Sequence, residues 1–526
     1  MRSKKTLRNV MSNVIFNFII AFLGFAKIKV FMKGFSTDLY SLHQLFYQIF
    51  AYFTIADIGF GLVINKNLYK AFAKKDKEEI NKIYVTSRKF YNILGSVLLL
   101  FSVLFSFFVN NFTKAEISIP YMQIMFISVI TLNVIDYFFE APKGIITADE
   151  KLYEVNYLIK GAKVFTTVIQ IVLVLLKLDY IIIMLVSIIF NLVINIYMNQ
   201  KILRKYPYLQ SRKKDEKAKE KAKGNLKDNL KENNRFHKEY LKGTKDLIPS
   251  KLSGVLNSNT DIVLISTFIS PLMVNIYSSY NYIVKFIIDT TYIIASAIVP
   301  SFAAEINNDK EKSYKIFEEI NLFFLFLACF VNIMFYLFLN PLIKLWIGEE
   351  YLVANITLIL FITLGFQIII KRGMDIVINS KGYFKETKKP VFYEALVNLV
   401  LSLALIKPLG MNGVLIGSVL SIILTTYIFH PIFIYKKVFN KTPTKFYIRN
   451  FVAYLISVIL ASAFALIKIN TIGIGSFILN VLIYAIIVLI ILFIIFYLIF
   501  KPMRDLSKRG KNLAINILKI GSKDGK

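Results

Sequence analysis

The feature that most limits how this chain can fold is a succession of apolar runs, each about twenty residues long. A helix of that length crosses roughly 30 Å of hydrocarbon, whereas a membrane-spanning strand needs only about ten residues. Hydrophobic residues make up 56% of the 526 residues, which is more than the interior of a soluble protein can hold. The runs therefore predict an all-α polytopic membrane protein.

The predicted spans number about fourteen. Six precede a long polar stretch, at 10–32, 39–65, 90–109, 119–139, 155–176 and 180–198. Eight follow it, at 247–269, 273–302, 320–339, 356–379, 391–406, 414–435, 451–467 and 476–500. The last two carry almost no charge, and a helix that is apolar all round faces lipid or a lipid-like ligand.

The polar stretch divides the chain into predicted domains. Its run of alternating Lys and Glu is typical of a solvated linker. The predicted domains are an N-lobe, a basic cytoplasmic linker, a C-lobe, an additional helix pair and a basic cytoplasmic tail, at 1–200, 201–245, 246–436, 450–500 and 501–526.

A repeated tripeptide indicates that the two lobes are related. Asp76-Lys77-Glu78 recurs in the second half of the chain as Asp309-Lys310-Glu311, and each copy lies in a polar loop between two apolar runs. Hydropathy breaks that recur in the same order indicate an internal repeat. With six spans each, both copies enter the membrane in the same direction, which predicts two lobes around a central cavity.

The charge distribution indicates topology. The net charge is +31, but the Lys and Arg residues lie in every second loop and are not gathered on one domain. This pattern predicts that both termini are cytoplasmic, with no nucleic-acid partner. The single cysteine, Cys329, excludes an internal disulfide and a Cys-rich metal site.

Charged residues inside the spans are candidate functional residues, because each costs about 2.5 to 3.5 kcal/mol at a helix centre. The predicted cavity residues are Lys27, Lys29, Lys160, Lys163, Lys285, Asp289 and Arg372. The predicted residues for a coupling ion, Na⁺ or H⁺, are Asp57, Asp261 and Glu394. For Lys160, Lys163, Lys371 and Arg372, near the cytoplasmic ends of spans, the alternative is snorkelling to the interface.

Spacing adds detail to this set. Lys285 and Asp289 are four residues apart, as are Asp136 and Glu140, so each pair lies on one helix face. Lys27 and Lys29 are about 200° apart around a helix, so only one of them faces a cavity squarely.

Enzyme signatures are absent from the sequence. It contains no His-Glu-x-x-His, no Gly-x-Ser-x-Gly and no Gly-x-x-x-x-Gly-Lys motif, and its only histidines are His43, His237 and His430. The sequence therefore predicts a protein that is not an enzyme, with no catalytic residue, no bound metal and no cofactor beyond a coupling ion.

Several stretches resemble a known family. They are Lys-Gly-Phe-Ser-Thr-Asp-Leu-Tyr, Ala-Asp-Ile-Gly-Phe-Gly, Lys-Lys-Asp-Lys-Glu, Asn-Thr-Asp-Ile-Val-Leu-Ile and Val-Asn-Ile-Tyr, at 33–40, 56–61, 74–78, 259–265 and 274–277. Together with the fourteen-span layout they resemble polysaccharide exporters of the multidrug/oligosaccharidyl-lipid/polysaccharide superfamily. The chain departs from that family at 35–39, where a Gly-Pro-Glu-type turn is usual, and in its long central loop.

The resemblance implies a flippase of the bacterial cytoplasmic membrane. Its substrate is then an oligosaccharide linked to a polyprenyl diphosphate, carried to the outer face by alternating access for cell-surface polysaccharide synthesis. The implied partners are this lipid-linked oligosaccharide, membrane lipids and the polysaccharide polymerase machinery. The cavity lysines would meet the diphosphate, and the last helix pair would meet the lipid tail.

Two alternatives remain open from the sequence. One is a membrane-embedded polysaccharide polymerase or ligase, although such enzymes need a large outer loop and the longest outer break, 340–354, is short. The other is a multidrug-type cation-coupled antiporter of the same superfamily.

Overall fold

The computed structural model describes residues 2–57, 59–151, 153–210, 236–241, 248–306, 308–467 and 473–509. Over these ranges the regular structure is helical and no strand is present, which confirms the all-α class. Most of the predicted linker 201–245 and of the predicted tail 501–526 lies outside the described residues.

The chain forms two compact units, residues Met1–Asn275 and Ile276–Lys526. The helices of the first unit are α1 (Arg2–Gly34), α2 (Thr37–Phe53), α3 (Phe60–Lys74), α4 (Lys77–Ser106), α5 (Ile119–Val134), α6 (Glu140–Ala148), α7 (Tyr153–Leu175), α8 (Tyr180–Lys205) and α9 (Ile248–Phe268). α9 packs against α2 and clusters with the first unit, whereas the predicted C-lobe begins before it. The predicted lobe boundaries stay predictions.

The second unit starts inside α10 (Pro271–Glu305). Its other helices are α11 (Lys310–Trp346), α12 (Asn355–Ile370), α13 (Arg372–Lys381), α14 (Phe384–Leu409), α15 (Met411–Leu424), α16 (Thr426–Ile432), α17 (Thr444–Ala465) and α18 (Ile474–Ile499). A short π-helix, Phe433–Val438, continues α16.

The helices are those of a multi-pass membrane protein. Among the described residues, eleven helical stretches are long and apolar enough to cross a membrane, or twelve when the pair α2 and α3, bent by 48°, is one span. α1 and α9 are not in this count, and each runs through residues whose side chains are not described. The total of about fourteen spans stays a prediction.

The repeated tripeptide begins a long helix in each unit. The Asp76 carboxylate accepts a hydrogen bond from the Glu79 N–H at 3.0 Å and caps α4. The Asp309 carboxylate accepts one from the Lys312 N–H at 3.0 Å and caps α11. An aspartate at this position satisfies one of the free N–H groups at a helix start. Both copies of the tripeptide therefore stand at the start of a long helix, and the internal repeat stays a prediction.

Two spans are broken at matching places. The stretch from α5 to α6 is interrupted by a 3₁₀ turn, Ile135–Phe139, which contains Asp136. The stretch from α12 to α13 is interrupted at Lys371. The offset in sequence between Asp136 and Lys371 is close to the offset between the two tripeptides. Broken helices at corresponding positions of two repeats are the usual location of a transporter's binding groups.

The two last helices differ in what they bury. α18 buries only Val488, Leu492 and Phe496, spaced four apart, as expected for a helix that faces lipid. α17 instead buries polar groups. Ser457 accepts a hydrogen bond from the Asn332 amide of α11 at 2.6 Å, and Arg449 pairs with Glu318 at 2.6 Å.

The described ends of the linker are attached to the first unit. The Tyr206 hydroxyl donates to Asp149 at 2.7 Å, and the Tyr240 hydroxyl donates to Glu79 at 2.8 Å. Burial, reinforced by the neighbouring carboxylate, raises the pKa of each tyrosine, so both hydroxyls remain donors at neutral pH.

Candidate functional site

Three of the predicted cavity lysines come together in the first unit. α1 packs along α7, which brings Lys27 of α1 beside the face of α7 that carries Lys160 and Lys163. Lys163 is close enough to Lys27 for their charges to interact. Lys160 donates a hydrogen bond across the same helix pair to the Asn17 side-chain oxygen at 3.1 Å. We refer to Lys27, Lys160 and Lys163 as the lysine cluster.

The environment of Lys27 is aromatic. Its ammonium lies 4.8 Å from the ring centre of Phe31 and 5.8 Å from that of Tyr47. An ammonium is attracted to the face of an aromatic ring, but a ring does not neutralise its charge. Within the described ranges, no carboxylate forms an ion pair with a member of the lysine cluster. Among the described residues the cluster is therefore not balanced by an ion pair; Lys163 is exposed, and Lys27 and Lys160 are partly buried.

A buried histidine holds this aromatic environment together. His43 is hydrogen-bonded to the Tyr180 hydroxyl at 2.6 Å, which joins α2 to α8. Its ring lies 4.9 Å from Tyr47 and 5.2 Å from Phe31. Sequence reasoning missed this group, although Tyr40, His43 and Tyr47 are three and four residues apart on one face of α2.

The remaining predicted cavity residues lie elsewhere. Lys29 is partly buried on α1, while Lys285 and Asp289 are both exposed on α10. In the second unit, Arg372 pairs with Asp375 at 3.1 Å, and its guanidinium lies 5.4 Å from the ring centre of Tyr292.

A polar cavity of about 480 Å³ opens in the first unit beside the break between α2 and α3. Gly59, at φ +66°, takes the left-handed conformation that this break requires. The Asp57 carboxylate at the cavity wall accepts a hydrogen bond from Lys251 of α9 at 2.9 Å through Oδ2. In the described part of the chain its buried Oδ1 has no hydrogen-bond partner. Other lining residues include Tyr91, Asp136, Tyr137 and Glu140.

Asp136 and Glu140 extend the charge of this cavity. Lys143 lies 3.6 Å from the Asp136 carboxylate and 3.8 Å from that of Glu140, and the Asn195 amide donates to Asp136 at 2.9 Å. The sequence placed these two acids on one helix face but not in the candidate site. What it could not show is that they line the same cavity as Asp57, which belongs to an earlier span.

Asp261 is buried on α9, near Tyr52 of α2. The adjacent Thr260 hydroxyl is hydrogen-bonded to the Tyr52 hydroxyl at 2.8 Å, which ties the two helices together at this level.

Glu394 lies in a closed network of the second unit. Its carboxylate accepts a hydrogen bond from Lys371 at 3.2 Å and another from the Thr426 hydroxyl. Lys371 also donates to Thr426 at 2.8 Å.

Over the described ranges, no group of three or more His, Cys, Asp or Glu residues is arranged to hold a metal ion.

Comparison with known proteins identifies the fold. A family profile described as "Polysaccharide biosynthesis protein" matches residues 226–355. No curated protein matches the sequence at a significant level. Among solved structures, a lipid II flippase, MurJ, in an inward closed conformation matches with a TM-score of 0.66 at 16% identity, covering 94% of this chain and 99% of that one.

Two transporter structures show the same likeness. A multidrug resistance MATE family transporter of the MOP superfamily matches in its inward-facing conformation with a TM-score of 0.56, 16% identity and coverage of 84% and 94%. An outward-facing one matches with a TM-score of 0.53, 15% identity and coverage of 89% and 97%. These matches confirm the fold that the family resemblance implied. At such identities they establish the fold alone.

Proposed function

We propose that this chain is a flippase that carries a polyprenyl-diphosphate-linked oligosaccharide across the bacterial cytoplasmic membrane by alternating access. The observation that carries the proposal is the lysine cluster, Lys27, Lys160 and Lys163, whose charge no carboxylate of the described chain neutralises. The family profile for polysaccharide biosynthesis and the shared fold support it.

The charge of the cluster favours an anionic substrate. Placing an ammonium in a span is costly, and most buried charges in proteins are paired. A diphosphate supplies the missing negative charge, and the attraction is stronger in a low-dielectric cavity than in water. A cationic drug would be repelled by the same lysines, so the cluster disfavours the multidrug-type antiporter.

The lipid tail is assigned to the last helix pair. α18 is exposed around most of its circumference and buries one narrow stripe, so it offers apolar surface in contact with the membrane interior. The polar contacts of α17 to α11 anchor the pair to the second unit. A polyprenyl chain suits such a surface because both are apolar.

A coupling ion, Na⁺ or H⁺, is assigned to Asp57. Oδ2 of its carboxylate accepts from Lys251, whereas the buried Oδ1 has no hydrogen-bond partner in the described chain. The Asp57 side chain lies at the wall of the cavity. Asp261 remains a second candidate.

Both termini are assigned to the cytoplasm, and polysaccharide polymerase machinery is assigned as the partner that receives the product.

The test is a transport assay in vesicles that contain the purified chain. A fluorescent polyprenyl-diphosphate oligosaccharide is placed in both leaflets, and its accessibility to a membrane-impermeant quencher is followed over time. The variant Lys27→Met/Lys160→Met and a dye-labelled lipid with an uncharged head serve as controls. The proposal requires rapid movement of the diphosphate lipid by the unaltered chain and slow movement in both controls. Equal movement of the charged and uncharged lipids would contradict it.

A further inference from the structure

The network around Lys371 in the second unit has the composition of a cation site. The ammonium donates to the Thr426 hydroxyl at 2.8 Å and to the Glu394 carboxylate at 3.2 Å, and Thr426 in turn donates to Glu394. Thr426 is fully buried, and the side chains of Lys371 and Glu394 are only 17% and 10% exposed. The ammonium thus contacts two oxygen atoms, one of which belongs to a carboxylate.

The network also lies where two helices are interrupted. Lys371 follows the last residue of α12, and Thr426 follows the break at Thr425 that ends α15. The end of a helix carries partial negative charge from its free carbonyl groups. In membrane transporters, the ends of discontinuous helices are sites where cations are coordinated.

A buried histidine borders the network. His430 lies four residues after Thr426, on the same face of α16, and its charge would interact with that of Lys371. It is 3% exposed, and neither ring nitrogen has a hydrogen-bond partner among the described residues. A buried, unpartnered imidazole is unusual because burying a polar group without a hydrogen bond is costly. It offers a further donor atom to a cation at this place.

We propose that the second unit contains a monovalent-cation site that is filled by the chain's own Lys371 ammonium, with oxygen atoms of Glu394 and Thr426 as its ligands. Glu394 is then unavailable to a free coupling ion, and a free ion can act only elsewhere in the chain. Removing the Lys371 side chain vacates the site for a free cation. The inference concerns binding alone, so it stands or falls separately from the proposed transport.

The experiment measures thermal unfolding of the purified full-length chain in sodium, potassium, lithium, methylammonium and choline chloride at one ionic strength. Choline is too large for the space left by one lysine side chain. We expect any dependence of the unaltered chain on these salts, such as that of a coupling ion at Asp57, to recur unchanged in the variants. We expect Lys371→Ala to unfold at a lower temperature in choline, and to regain stability with the logarithm of the concentration of one small cation.

The double variant Lys371→Ala/Glu394→Gln is the matched control. It has the same vacated space without the carboxylate, so its unfolding temperature should respond to small cations only as that of the unaltered chain does. A response of Lys371→Ala equal to that of the unaltered chain, or an undiminished response in the double variant, would overturn the inference. Each would mean that Lys371 and Glu394 are only a structural ion pair.

A second variant covers failure of Lys371→Ala to fold. Isolation of Lys371→Ala in a small-cation salt but not in choline supports the site. If it cannot be isolated in any salt, Lys371→Gln is used, because its amide can donate to Thr426 while the Glu394 carboxylate loses the Lys371 ammonium. Stabilisation of Lys371→Gln by a small cation beyond that of the unaltered chain supports the inference, and a salt response equal to that of the unaltered chain contradicts it.

Discussion

Lys27 in the first unit and Lys371 in the second are the same side chain in opposite environments. Lys371 meets a carboxylate and a hydroxyl, whereas Lys27 meets two aromatic rings and lies near another lysine. The ammonium of Lys371 is neutralised within the chain. That of Lys27 has no acidic partner among the described residues. The two lysines differ in the partner that the fold supplies, and this difference supports the proposal that Lys27 binds an anionic substrate.

Asp57 and Lys251 are intermediate between these two. They form an ion pair at 2.9 Å, but with side chains 21% and 27% exposed they border an open cavity. One carboxylate oxygen accepts from the lysine, and the other is buried with no hydrogen-bond partner among the described residues. The pair therefore combines a structural contact with the unsatisfied oxygen on which the proposed ion site rests.

The largest expected effect is a loss of stability when the ion pair between Lys371 and Glu394 in the second unit is broken. Glu394→Gln leaves the Lys371 ammonium buried without its carboxylate, which costs about 3 kcal/mol of the free energy of unfolding. The double variant Lys371→Met/Glu394→Gln removes both charges and should recover most of that loss. Thermal or denaturant unfolding of the purified protein measures both. A double variant as unstable as the single one would show that the network stabilises through something other than charge pairing.

The second-largest effect is expected for Lys27 in the first unit, where transport should fall without a loss of stability. Lys27→Met removes an ammonium that has no acidic partner among the described residues, so the unfolding temperature should stay the same or rise. Transport should fall, because a lost charge contact to a diphosphate is worth about 2 kcal/mol, or roughly thirty-fold in affinity. Vesicle transport and unfolding are measured on the same preparation. A drop in stability like that of Glu394→Gln would contradict the distinction between Lys27 and Lys371, because it would show that Lys27 also stabilises the fold.

A smaller effect is expected at the ion pair between Asp57 and Lys251. Asp57→Asn keeps the size of the side chain but removes the charge facing the cavity, and it should cost about 1.5 kcal/mol of stability, the value of a hydrogen bond to a charged group. The dependence of transport on Na⁺ or on a proton gradient should disappear. Asp289→Asn, an exposed carboxylate on α10, is the matched control. Unchanged ion dependence in Asp57→Asn would place the coupling ion elsewhere.

The smallest effect concerns Lys285, which is exposed. Because exposed charges interact weakly through water, Lys285→Ala should lower transport by about fivefold, or roughly 1 kcal/mol. If Lys285 and Asp289 act only as a pair, the double variant Lys285→Ala/Asp289→Ala should transport as the unaltered chain does. Continued loss in the double variant is the result expected of a substrate ligand.

Much of the fold follows from local sequence. The length of the apolar runs predicts membrane helices. α4 and α11 begin earlier than the predicted spans, at Lys77 and Lys310, because the aspartates of the repeated tripeptide cap them within the predicted polar loops. These features depend on residues within a few positions of one another. The polar face of α17 was missed because Arg449 and Asn450 stand just before the apolar run, and only the observed helix start at Thr444 includes them.

The candidate site was predicted only in part. The sequence identified Lys27, Lys160 and Lys163 as intramembrane charges, but their grouping depends on α1 packing along α7. It treated Lys371 as a residue near an interface, and the structure pairs it with Glu394. The aromatic group around His43 was not predicted at all, since aromatic residues are common throughout this chain.

The sequence by itself therefore determined the class of protein, the succession of its helices and the inventory of charges that the membrane makes costly. The length of an apolar run and the capping of a helix depend on neighbouring residues, so both can be recognised from the sequence alone. Only the tertiary structure decided which of those charges meet a partner. Lys27 and Lys160 are far apart in the sequence, whereas Lys371 and Glu394 lie on nearby helices, α14 following soon after α12. Distance along the sequence predicts neither of these two groupings, because each depends on how whole helices pack.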